Sequence, residues 1–153
     1  MKKLNTLLIQ LETKIIHCEK LTPSVSQSSV GWQIDHTLLA TNRIIIALAQ
    51  SKPEQYRWKF NLTRLFVFTL NKIPRGKAKA PKAVQPKEKT SPEQLYANLE
   101  TAKKKVETLN NLHSKNYFEH PYFGKLHLKS SIKFLEIHTQ HHLDIIDDII
   151  NSL

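Results

Sequence analysis

The sequence holds one cysteine, three glycines and one methionine among 153 residues. A lone Cys18 cannot close an internal disulfide, and no cysteine pair offers a zinc-ribbon or redox spacing, so a reducing, cytoplasmic setting is expected. Three glycines against seven prolines, with 8% aromatics, argue against collagen-like chains and against all-β designs that need a turn every ~8–12 residues. No run approaches the ~18–20 apolar residues that a membrane span requires. The start Met1-Lys2-Lys3 has the charge of a signal peptide, but Leu7-Leu8-Ile9 is its longest apolar run and Glu12 and Lys14 interrupt it, so no export is expected. A Gly-rich phosphate loop, a serine-nucleophile elbow and a carboxylate-rich hydrolase motif are all missing, which disfavours several enzyme classes.

What remains is 40% apolar and 24% charged residues with a net charge of +10, the composition of one domain spanning 1–153. The positive charge is concentrated. Between Lys72 and Lys89 stand seven Lys or Arg against Glu88 alone, leaving 16 basic and 12 acidic residues elsewhere. Pro, Lys and Ala in this stretch cannot supply a packed face, so residues 73–90 are expected to form a flexible, solvated basic loop. The alternative is a non-enzymatic binding module whose 72–89 loop contacts nucleic acid or another polyanion. The loop lacks the interleaved aromatics of single-strand binders, so a nucleic-acid partner is not expected.

Apolar residues at Leu4, Leu8, Leu11, Ile15 and Ile16 give a first helix to about Lys20. Ser29 is placed to cap a second helix from about Val30 to Ala49. Pro53 suits the first turn of a third, with Tyr56, Phe60, Leu65, Phe66 and Leu70 carrying the pattern to about Lys72. Ser91-Pro92-Glu93-Gln94 is a capping-box start for a fourth, to about Leu112. Tyr117 to Gly124 contains Pro and Gly and reads as a turn, and Leu128–Leu153 has helical periodicity. With no convincing strand, the expected fold is all-α: an antiparallel four-helix bundle with one extra helical piece.

Eight histidines are the chemical anomaly. At about 100° per residue, His138 and His142 fall about 40° apart on one helical face, one turn removed. Leu128, Ile132, Leu135, Ile146, Ile149 and Leu153 lie on the same side, with His142 near the middle of their stripe and His138 toward one edge. His141 is rotated further, toward a boundary or solvent. Imidazoles in an apolar stripe are costly unless their nitrogens have partners; a cation would serve, and so would carboxylates or water. His36, in Trp32-x-x-x-His36 on the second helix, is either a boundary residue or a third ligand. Three histidines would leave an open coordination position suited to Lewis-acid chemistry.

Trp32-x-x-x-His36 early in the second helix, with His138-x-x-x-His142 late in the last, resembles the DinB-like (YfiT-like) superfamily of metalloenzymes. The segment His120-Pro-Tyr-Phe-Gly124, followed by Phe134-Leu-Glu-Ile-His138 and His141-His142, is similar to one uncharacterised branch of it. The resemblance implies a helical bundle, often a homodimer, in which His36, His138 and His142 bind a divalent metal ion such as zinc, nickel or iron. It further implies a metal-dependent hydrolase or a transferase that uses a low-molecular-weight thiol, acting on a small-molecule substrate.

Among the other residues, Asp35 and Glu136 are either surface charges or partners that orient ligand imidazoles. Trp32 reads as pocket wall or plain core, and Cys18 as a buried, inert thiol. His120 lies in a turn that either roofs the pocket or is merely structural. His17, His113 and His127 read as surface or boundary residues.

Overall fold

A computed structural model describes residues 1–76, 81–86 and 89–152. Five helices dominate: α1 Lys2–Lys14, α2 Val30–Gln50, α3 Leu62–Leu70, α4 Pro92–Thr108 and α5 Leu128–Asn151. Ser29 accepts a hydrogen bond from the Trp32 amide and Ser91 from the Gln94 amide. The two predicted caps therefore satisfy amides that have no intrahelical partner. Helix α1 packs on α5, and α2 packs on both α4 and α5. Their facing stripes, among them Leu4, Leu8, Leu38, Leu99, Leu135 and Ile146, are wholly buried. Among the described residues no helix is long and apolar enough to cross a membrane.

Two expectations are corrected. The all-α four-helix bundle gives way to a mostly helical but mixed fold, because the predicted turn is a β-hairpin. Strand β1 Tyr117–His120 pairs antiparallel with β2 Gly124–His127, Phe118 opposite Leu126 and His120 opposite Gly124. Pro121, Tyr122 and Phe123 form the connection, and Gly124 closes it at φ +67°, a left-handed backbone that favours glycine. Phe118 and Leu126 share the buried side, but four-residue strands show too little alternation to stand out from a turn.

The third helix is also shorter than its apolar pattern suggests. Pro53–Gln55 makes one 3-10 turn, Tyr56 is extended, and α3 begins only after Asn61, whose side chain accepts from the Arg64 amide. Of α3 only Val67 is buried, while Leu62, Leu65, Phe66 and Leu70 are each more than half exposed. The residues that looked like a core stripe there do not enter the core.

The expected basic loop is described at 73–76, 81–86 and 89–90; Lys77, Lys79, Lys87 and Glu88 lie outside the described residues. Arg75 pairs with Asp148 of α5 at 2.7 Å, Lys89 pairs with Glu19, and Lys82–Val84 forms a 3-10 turn. The segment crosses the molecule beside α2, bringing its backbone to the histidines.

Candidate metal centre

Helix α2 contributes His36 and α5 contributes His138 and His142, and one nitrogen from each ring lies within 4.8 Å of the other two. The ring centroids stand 5.2 Å (His36–His138), 4.7 Å (His36–His142) and 4.6 Å (His138–His142) apart. The i,i+4 spacing on α5 places two of the rings one turn apart, meeting edge-on, and the contact of α2 with α5 supplies the third. His36 and His142 are buried and His138 is partly so.

Two of the rings have a fixed tautomer. His36 Nδ1 is 2.8 Å from the carbonyl oxygen of Val84, and His142 Nδ1 is 2.7 Å from Oε1 of Gln33. Both partners are oxygen acceptors, so Nδ1 is the protonated nitrogen of each neutral ring and Nε2 keeps its lone pair. Gln33 is itself held, its amide nitrogen donating to Ser26 Oγ at 3.1 Å. His138 differs: its Nδ1 is enclosed and has no hydrogen-bond partner among the described residues. An enclosed polar atom left unpaired costs about 1–3 kcal/mol.

Burial pushes all three imidazoles below their ordinary pKa, His138 and His142 far below, because neither can be charged cheaply away from water. Neighbouring imidazoles push His138 and His142 the same way. For His36 the Val84 carbonyl and Asp35 offset part of the fall. All three are therefore neutral at pH 7, the form in which imidazole ligates a metal. Three neutral imidazoles, two with the second nitrogen already engaged and one with an orphaned nitrogen, could together hold a metal ion.

A cavity of about 530 Å³ opens over the cluster. Trp32 stacks on His36 with ring centroids 5.1 Å apart and planes 12° from parallel, forming part of its wall. Phe118, Phe123 and Phe134 bring apolar surface from the hairpin and α5. His120 stacks on Phe123 at 4.2 Å and also lines the cavity, so the hairpin does bring it to the site. His141 stays outside the three-nitrogen cluster, although its ring too borders the cavity.

The orienting groups are not the carboxylates named from the sequence. Asp35 is buried and makes no hydrogen bond to the rings, accepting instead from Thr90 Oγ1 at 2.7 Å and Asn98 Nδ2 at 3.0 Å. Glu136 lies 4.0 Å from the terminal amino group. Gln33 and the Val84 carbonyl hold the imidazoles instead. Gln33 was detectable in principle, as a polar residue one turn before His36 on the same face, but a backbone carbonyl 48 residues away leaves no mark in composition. Cys18 is buried and free, its thiol pushed up in pKa by burial, and it does not line the cavity. His17 and His113 are exposed, and His127 caps α5 by accepting from the Ser130 amide.

Compared with protein-family models, characterised proteins and solved structures, the chain matches none.

Proposed function

We propose that the protein is a metal-dependent enzyme, a hydrolase or a thiol-dependent transferase of the DinB-like kind, with a divalent ion held by His36, His138 and His142. The observation that carries this reading is the convergence of three neutral imidazoles on one point at the floor of a cavity. Core histidines kept only for packing have no need to share one. Bound there, the ion supplies Lewis acidity, lowering the pKa of water or a low-molecular-weight thiol so that a nucleophile is available near neutral pH.

The chain's own residues prepare that chemistry. Gln33 and the Val84 carbonyl fix which nitrogen of His142 and His36 carries the proton. Trp32 limits rotation of the His36 ring by stacking on it. The aromatic walls lower the local polarity, which strengthens electrostatic interactions at the floor. A small molecule is the substrate that a cavity of about 530 Å³ accommodates, and the free thiol of Cys18 suits a reducing cytoplasm.

Equilibrium dialysis against zinc, followed by elemental analysis, tests the first step. The wild-type protein is expected to retain about one ion per chain, as three ligands with an open position would hold, and a His36→Ala/His142→Ala variant to retain none. Equal metal content in the two proteins would remove the site.

A further inference from the structure

The charges around the cavity are one-sided. Its charged lining groups are two arginines, Arg43 and Arg75, beside five histidines whose pKa burial lowers, and no Asp or Glu lines it among the described residues. Arg75 is already neutralised by Asp148 at 2.7 Å. The Arg43 side chain is exposed and makes neither an ion pair nor a hydrogen bond among the described residues. It follows His36 by seven residues on α2, two turns along the same face, so their Cα atoms are separated by roughly 10 Å along the helix axis. Ala40 and Ile44, also on the cavity wall, lie on the face between and beside them.

A guanidinium without a counter-ion, at the end of an apolar wall, suits an anionic ligand group. The hairpin adds a neutral donor. His120 Nδ1 accepts from the amides of Tyr122 at 3.1 Å and Phe123 at 3.3 Å, so the ring hydrogen is on Nε2. That nitrogen has no partner among the described residues.

We propose that the cavity binds a small organic anion, a carboxylate on an aromatic or aliphatic body, with Arg43 reading its charge and the apolar wall holding its body. The proposal rests on the reading of this cavity as the functional site and names its substrate class. An anionic head at Arg43 places the far end of a body of about 10 Å beside the histidine cluster. A cationic ligand would meet like charge at Arg43, with no Asp or Glu in the lining among the described residues to offset it.

The test uses chelator-treated full-length protein carrying Trp58→Phe, so that Trp32, on the cavity wall, is the sole indole reporting. Emission is titrated with 3-phenylpropionate, its neutral amide and the cationic 3-phenylpropylamine. The carboxylate is expected to quench saturably and at least about ten-fold more tightly than the amide. Arg43→Gln should abolish that preference, and Arg43→Glu should transfer it to the amine. Arg43 is exposed, so both variants are expected to keep the wild-type far-ultraviolet dichroism. Equal binding of carboxylate and amide, an Arg43→Gln variant that keeps the preference, or no saturable response up to about 10 mM would each overturn the proposal. Zinc content is read separately on unchelated protein. Zinc uptake without anion preference sinks this inference alone, while anion preference without zinc uptake sinks the metal reading and leaves the anion site standing.

Discussion

His142 on α5 donates its Nδ1–H to Oε1 of Gln33 on α2 across 2.7 Å, joining residues 109 positions apart in the chain. The bond fixes both the tautomer and the rotation of the ring, and it leaves the Nε2 lone pair available. Gln33→Leu keeps most of the volume and removes the acceptor. It is expected to weaken zinc binding about 10–100-fold, the usual effect of losing such a partner, whereas Gln33→Glu, which retains an acceptor, should bind closer to wild type. Competition with a chromophoric chelator reads both values. A leucine variant that holds zinc as tightly as wild type would show that the glutamine does not position the ligand.

Asp35 fastens the end of the basic segment to the helical core, taking Thr90 on one carboxylate oxygen and Asn98 of α4 on the other. Replacing it with alanine leaves two partly buried donors without their acceptor, at a cost of about 1–3 kcal/mol. For a chain of this size each kcal/mol lowers the melting temperature by roughly 2–4 °C. Calorimetry of Asp35→Ala should show that fall, and an unchanged melting temperature would mean that the two contacts contribute nothing.

Protonation should destabilise the metal-free protein on the acid side only. Burial holds His120 at about 4 against an ordinary 6.5, and His36, His138 and His142 are lowered as well. Well above pH 6.5 these rings are neutral whether the chain is folded or not, so they add no pH dependence there. Below it the unfolded chain takes up protons that the folded chain refuses, and stability drops as pH falls. For His120 the drop extends to about pH 4 and amounts to roughly 2–3 kcal/mol after allowance for its partial exposure. Urea midpoints measured from pH 8 to pH 4 in the presence of chelator should fall below pH 6.5, and less steeply in His120→Asn. A flat profile would contradict the buried, neutral state of these rings.

Much of the helical scaffold was legible because its signals are local. Ser29 and Ser91 announce their helices through one side chain and one amide each, and the α5 stripe repeats over enough turns to be read without a partner. The i,i+4 histidine pair was legible for the same reason. The hairpin was not, since four-residue strands carry too few alternations to outweigh the Pro and Gly between them. Helix α3 misled in the opposite direction: its apolar residues have helical spacing but lie mostly on the surface, and spacing reports which side chains share a face, not whether another element covers that face.

By itself the sequence determined the four long helical segments, the pairing of His138 with His142 on one face and the concentration of positive charge before α4. Each depends on interactions between residues a few positions apart, where backbone geometry fixes distance and direction. Tertiary packing alone decided that His36 meets that pair, that Gln33 and the Val84 carbonyl set the tautomers, and that Arg43 borders the cavity without a counter-ion. Those relationships arise from how α2, α5 and the connecting segment are placed against one another. That placement is a balance of many weak contacts over the whole core, and no short stretch of residues encodes it.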